Sequence, residues 1–162
     1  MSHLTGDPKR HDLSSFKGSI TGSCLCGSIT VTINENLFTK PRGHLCHCEN
    51  CRKATGSVVA TNLTIEEKKV DIKDRDGTLK LYADKATKSG NPVYRYFCAV
   101  DGNPIFSKVD SMPGKVTISM GCMPVIPKPE MAGFTAHKHP WFNQPEGIRS
   151  YKIIREEEIM GE

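Results

Sequence analysis

Five of the seven cysteines fall into two tight clusters, Cys24-Leu25-Cys26 and Cys46-His47-Cys48-Glu49-Asn50-Cys51. That spacing constrains the chain more than any other feature. In an extended segment alternate side chains share a face, so each Cys-x-Cys pair presents two sulfurs side by side. Cys51 follows Cys48 at an interval that lets one turn return a third sulfur to the same point. Neighbours this close suit a metal better than a disulfide. The total is odd and Met1 to His11 lacks the apolar stretch of a signal peptide, which also argues against a disulfide framework. Zinc held by thiolates in a reducing compartment explains the pattern best, with an iron–sulfur cluster as the next metal and buried free thiols as the bland alternative. The expected location is the cytoplasm.

The rest of the chain reads as a series of short strands. Ile29, Val31 and Ile33 alternate with polar residues, as in a half-buried strand. Val58 to Leu63 reads as a strand after the Thr55-Gly56 turn. Val70 and Ile72, then Leu79 and Leu81, alternate around the Asp76-Gly77 turn. Val93 to Cys98 is rich in β-branched and aromatic residues, and Ile105–Val109 with Val116–Ser119 forms a hairpin around Pro113-Gly114. Helical signal is poor: one turn over Cys51–Thr55, and a Thr64/Glu67 capping box before a short segment. Residues 121–147, rich in proline, read as a long ordered loop. Tyr151, Ile153 and Ile154 suggest a final strand. The expected organisation is a flexible polar arm over 1–16, one metal-stapled domain over 17–155 and an acidic tail over 156–162.

Composition excludes several classes of function. No apolar run approaches the roughly 20 residues of a membrane-spanning helix, so no membrane partner is expected. The net charge of +4 is spread among interspersed acids and bases, unlike the concentrated basic face of a nucleic-acid binder.

Three segments together resemble a known family. They are Gly22-Ser23-Cys24-Leu25-Cys26-Gly27, Cys46-His47-Cys48-Glu49-Asn50-Cys51-Arg52-Lys53 and Tyr96-Phe97-Cys98-Ala99-Val100-Asp101-Gly102. In this order they are similar to the three zinc motifs of the glutathione-dependent formaldehyde-activating enzymes, the family that includes centromere protein V. The resemblance spans about residues 18–152. It implies a mainly β fold, a small zinc-stapled β-tent of short antiparallel strands. It implies a structural zinc at Cys24, Cys26, Cys98 and position 101, and a second zinc with an open position at Cys46, Cys48 and Cys51. The division suits zinc, which is closed by four ligands in structural sites and keeps one position free in catalytic ones. The implied reaction is that of a carbon–sulfur lyase, addition of glutathione to formaldehyde giving S-(hydroxymethyl)glutathione, with glutathione as co-substrate.

The third motif departs from the family's Phe-Cys-x-x-Cys-Gly, because Asp101 stands where a cysteine is usual. A carboxylate oxygen can ligate zinc; alternatively Asp101-Gly102 is simply a turn. Cys122 lies outside the motifs and reads most simply as a small buried hydrophobe. His47 should point away from Cys46 and Cys48, into packing. His44, His137 and His139 have no ligand spacing, and a solvated role is expected for the last two. Arg52 and Arg95 are candidates for holding a glutathione carboxylate, with a core salt bridge as the alternative for Arg95. Three thiolates on one dication make a weak Lewis acid, which favours capture of a thiol over polarisation of an aldehyde. Two further possibilities remain. In one, the fold serves a larger carbonyl compound, since long loops are where substrate choice resides. In the other, it is a zinc-stabilised binding module without catalysis, although no long basic tail favours chromatin.

Overall fold

The computed structural model describes residues 6–153. Among them are eleven strands and one α-helix, arranged in two sheets. The smaller sheet has the order β1 (Ile20–Ser23), β2 (Ile29–Ile33), β5 (Val70–Asp74), all antiparallel. The larger contains β3 (His44–Cys46), β4 (Ala60–Glu66), β6 (Leu79–Asp84), β7 (Val93–Cys98), β8 (Pro104–Val109), β9 (Lys115–Ser119), β10 (Met131–Gly133) and β11 (Arg149–Ser150). Its order is β11-β10-β3-β4-β9-β8-β7-β6. Helix α1 (Glu49–Thr55) follows β3 directly.

The core lies between the sheets and follows from alternation. In β2, Ile29, Val31 and Ile33 are fully buried while Thr30 and Thr32 face outward. Leu63 and Ile65 of β4 and Val116 and Ile118 of β9 meet them from the larger sheet. Each such side chain contributes about 1.5–3 kcal/mol by leaving water. Gly22 is required where the 120–123 turn crosses β1, because a Cβ there would lie 2.2 Å from the carbonyl oxygen of Cys122.

Several local expectations change. The strand expected at Val58–Leu63 begins at Ala60 and runs on to Glu66. Thr64 therefore caps no helix: its hydroxyl pairs with that of Thr117 on β9 at 2.9 Å, and Glu67–Lys69 makes only a 3-10 turn. The Asp76-Gly77 turn does not close a hairpin. It carries the chain from the small sheet to the large one, with the Asp74 carboxylate accepting from the Thr78 and Leu79 N–H groups. Residues 121–147 are not loop throughout. Three of them form β10, which runs parallel to both β3 and β11, so the sheet is not wholly antiparallel. So short a strand, flanked by prolines, leaves no readable alternation. The final strand is Arg149–Ser150, one step earlier than expected; Ile154 and the acidic tail lie outside the described residues. Within the N-terminal segment, Asp7 and Asp12 cap 3-10 turns at Pro8–Arg10 and Leu13–Phe16, and Phe16 packs on Phe38 beside the core.

Candidate metal centres and cavity

The turn between β1 and β2 presents Cys24 and Cys26. It is closed by hydrogen bonds from Cys24 N to Ile29 O and from Gly27 N to Cys24 O, each 3.0 Å. The end of β7 brings Cys98 to the same place, and the following turn, fastened from Gly102 N to Cys98 O at 2.8 Å, adds Asp101. One ligand atom from each of the four residues lies within 4.8 Å of the other three. Zinc bonds sulfur at about 2.3 Å in a tetrahedron, which places sulfurs about 3.8 Å apart. The Cys24–Cys26 and Cys26–Cys98 sulfurs are separated by 3.5 and 3.7 Å, so the donor set fits such an ion.

Asp101 closes its turn and also stands beside the sulfurs. One carboxylate oxygen accepts from Asn103 N at 2.8 Å and closes the turn; the other accepts from Cys26 N at 2.7 Å, among the sulfurs. Against the opposing pull of burial, those two N–H groups hold the carboxyl well below the usual carboxylate range. The Cys98 thiol is likewise lowered despite burial, by the N–H groups of Asp101 and Val100 and the hydroxyl of Thr78.

The second cluster is built by β3 and α1. Along β3, Leu45 points into the core while His44 and Cys46 take the other face. Cys48 is the N-cap of α1, its sulfur accepting from Cys51 N at 3.4 Å, and Gly56 ends the helix with a φ of 63°. The cap and the first turn thus gather Cys48 and Cys51 onto Cys46. The three sulfurs lie within 4.8 Å of one another, Cys46 to Cys48 at 3.4 Å. Among the described residues no fourth His, Asp or Glu ligand atom joins them. Hydrogen bonds from the Cys46 and Cys51 thiols lower the Cys48 thiol, and the same bonding raises Cys46. This donor set also suits zinc, with one position left to a water or a substrate.

Arg95 faces this cluster from β7, its guanidinium 4.0 Å from the Cys51 sulfur. Its other side is paired with Asp84 at 2.8 Å, the two side chains 19% and 9% exposed. Asn50 on α1 donates to both oxygens of Asp84 at 3.1 and 3.0 Å and to Ala86 O at 2.8 Å. The arrangement reveals the shape of the large sheet. β3 and β7 are four places apart in it, about 19 Å if it were flat. Both nevertheless reach Cys51, so the sheet curls until α1 bridges its concave side.

Under that bridge lies a cavity of about 860 Å³. Its floor is the face of the large sheet turned away from the core. Register places His44, Asn62 and Ser119 in one row and Thr117, Ser107, Arg95 and Tyr82 in another. Helix α1 and the segments around Lys88 and His137 form its rim.

The two arginines expected to meet a substrate carboxylate already have partners within the chain. Arg95 holds Asp84 and approaches Cys51, as above. Arg52 donates through Nε to His47 O at 3.2 Å and through Nη1 to His139 Nε2 at 3.1 Å, and so fastens α1 to the 135–144 segment. His139 is therefore not simply solvated; it also stacks on Trp141. His137 is exposed at the cavity rim, and His44 sits on the floor, where burial pushes its imidazole down to about 4. His47 is packed as expected, fully buried, edge-on to Phe142 and 3.3 Å from Gln144. Cys122 is a buried thiol bonded to Ser119 O, and burial pushes it up to about 11. Sequence reading missed the floor residues Asn62, Ser107, Thr117 and Ser119. Their signal was present as the polar positions of strands whose other face is core.

Comparison with known proteins identifies a family and a similar fold. Residues 19–137 match the model of a family described as glutathione-dependent formaldehyde-activating enzyme. No curated protein matches the chain. Among solved structures, a crystal structure of a Rhodobacter sphaeroides protein, a structural-genomics target, superposes with a TM-score of 0.50 at 17% identity. The match covers 66% of this chain and 90% of that one, and shows likeness of fold.

Proposed function

The chain belongs to the glutathione-dependent formaldehyde-activating enzyme family, and from that premise we propose that it is a zinc-dependent carbon–sulfur lyase. It joins the glutathione thiol to formaldehyde or a related carbonyl compound; with formaldehyde the product is S-(hydroxymethyl)glutathione. The observation that carries the reading is a three-sulfur cluster that no fourth donor joins among the described residues, opening on a large cavity. A purely structural staple needs no such cavity, which favours catalysis over a binding module.

Cys46, Cys48 and Cys51 hold zinc in this reading, and Cys24, Cys26, Cys98 and Asp101 hold a second, structural ion. Zinc on three thiolates supplies a soft centre that keeps a thiol sulfur deprotonated at neutral pH. Three thiolates against one dication leave net negative charge, which the Arg95 guanidinium beside Cys51 offsets. The curled sheet and α1 enclose the reacting groups and limit access of water. Arg52 and Lys88 at the rim provide positive charge for the carboxylates of the thiol substrate. In the net reaction a sulfur–carbon bond forms, the carbonyl π bond opens, and the thiol proton ends on the carbonyl oxygen. Free thiolates of this kind persist in a reducing compartment, so the cytoplasm is the proposed location.

The test is zinc per chain under reducing conditions, with adduct formation assayed on the same samples, for the wild type and Cys48→Ser. The expected result is about two zincs in the wild type and the loss of one, together with activity, in the variant. Two zincs in the wild type without glutathione-dependent turnover would overturn the catalytic reading.

A further inference from the structure

The cavity is not chemically uniform, and its apolar part lies where a one-carbon aldehyde would make no use of it. Arg95 is the central residue of the β7 floor. Two residues along the strand in either direction, on the same face, stand Phe97 and Val93. Phe97 is opposite Pro104 on β8, and Val93 is opposite Val109, with Met112 just beyond on the rim. The Cys51 sulfur, next to Arg95, is thus flanked by two apolar rows within the same cavity.

A glutathione molecule cannot account for those rows. Its two carboxylates and its ammonium must remain solvated or paired when bound. The cationic side chains that the cavity offers it are Arg52 on α1 and Lys88 on the rim, because Arg95 is already engaged by Asp84 and the Cys51 sulfur. The charged ends of the thiol therefore belong at the rim. The apolar rows are left for whatever the sulfur becomes attached to, and formaldehyde adds only a hydroxymethyl group.

Resting on the reading of the site as one that joins a thiol to a carbonyl carbon, we propose that its preferred carbonyl substrate is an apolar aldehyde with a hydrocarbon chain or ring. That hydrocarbon lies against Val93, Val109 and Phe97. The addition balances as before, without an oxidant or reductant: the sulfur bonds the aldehyde carbon, and the thiol proton passes to its oxygen. Each methylene placed on such a wall strengthens binding, and a chain of several should raise kcat/KM on the order of tenfold.

Two readouts separate this proposal from the reading beneath it. The first is the initial rate of adduct formation from glutathione and formaldehyde, propanal or hexanal, above the spontaneous rate. The second is calorimetric binding of the inert thioethers S-methylglutathione and S-hexylglutathione to the zinc-loaded protein. Hexanal is expected to exceed propanal in kcat/KM by about tenfold, and S-hexylglutathione to bind about tenfold more tightly than the methyl analogue. Val109→Asp should lower both ratios towards one. Val109→Thr, close to isosteric and safe for folding, should lower them in the same direction by less. Turnover of formaldehyde with flat ratios would overturn this proposal and leave the catalytic reading intact. Tight, chain-length-dependent binding with no turnover of any aldehyde would overturn the catalytic reading and the aldehyde assignment with it, leaving only the apolar rows as a binding surface for the thioether's chain. Ratios that survive Val109→Asp would show that the hydrocarbon lies elsewhere.

Discussion

The two cysteine clusters begin from the same Cys-x-Cys spacing and end in different geometries. Cys24 and Cys26 occupy a turn that another strand end, Cys98 to Asp101, comes to close. Cys46 and Cys48 are followed by a short helix that adds only Cys51 and then spans a cavity. What separates them is the segment that supplies the remaining donors. One is a turn that folds a carboxylate back among the sulfurs; the other is a helix that leads the chain away, leaving a guanidinium as the nearest partner. The difference teaches that spacing places sulfurs, while the topology around them decides whether a site is closed.

The largest effects should come from setting one cluster against the other. Cys98→Ser removes a donor from the closed set, which ties the β1–β2 turn to the end of β7. Structural zinc binding in small domains contributes many kcal/mol to folding, so one zinc should be lost and the thermal midpoint should fall by on the order of 10 °C or more. Cys51→Ala should also lose one zinc, and with it turnover, while the midpoint moves far less. Elemental analysis with thermal denaturation reads both. Equal loss of stability in the two variants would erase the distinction between structural and open centres.

Next in size is Arg95→Met, which acts on the open cluster alone. The substitution keeps much of the side-chain volume and leaves Asp84 buried with only Asn50 as partner. Breaking a buried pair from one side costs about 3–5 kcal/mol. Asp84→Asn made together with Arg95→Met should restore part of that stability without restoring zinc affinity at Cys46, Cys48 and Cys51, because the charge facing Cys51 is still missing. Chemical denaturation and a zinc competition titration separate the two losses. Full recovery of zinc affinity in the double variant would show that Arg95 acts only by packing.

Much of this contrast was legible before any coordinates. The short spacings of Cys24, Cys26, Cys46, Cys48 and Cys51 gathered five sulfurs into two groups as expected, although a turn and a helix cap, not alternation along a strand, bring each pair together. Cys98 and Asp101 joined them through family resemblance, since nothing local links the end of β7 to a turn more than seventy residues earlier. For Arg95 the core salt bridge given as the alternative is the one the structure shows, but its partner was not legible, nor was the role of Arg52. Their partners His139 and Asp84 come from other elements, and only the curl of the sheet brings Arg95 to Cys51. The strand β10 was hidden for another reason: it is three residues long, and its place in the sheet is set by β3 beside it. Thr64 and Glu67 mimic a helix start, but pairing of Thr64 with Thr117 across β4 and β9 outweighs a local cap.

Asp101 offers a finer probe of the closed cluster. Asp101→Asn keeps an oxygen able to accept one of the two N–H groups but loses the charge and an oxygen ligand of anionic character. Zinc affinity at that cluster should fall about 10–100-fold, with stability lowered by about 1–2 kcal/mol. Asp101→Cys should restore the affinity by supplying a fourth thiolate. Competition with a chelator measures both, and unchanged affinity in Asp101→Asn would reduce the residue to a turn former.

The smallest expected effect concerns the segment that joins the two clusters' sheets. Glu35 follows β2 and precedes β3, and its carboxylate binds Arg42 at 2.9 Å and Lys69 at 2.8 Å. Burial opposes its ionisation, yet the two cations together hold the carboxyl below its ordinary value near 4.5. The unfolded chain therefore takes up the proton first as the pH falls. The stabilisation is complete above the ordinary value and is lost as the pH drops through the folded one. Because Lys69 is 37% exposed and solvent screens the pair, the contribution is about 0.2–1 kcal/mol. Glu35→Gln should lower stability by that amount at neutral pH, and the gap should close as the pH falls through the lowered folded value. Zinc content should not change, because the link lies outside both clusters. A gap that persists in acid would mean that Glu35 acts through packing of the linker and not through its charge.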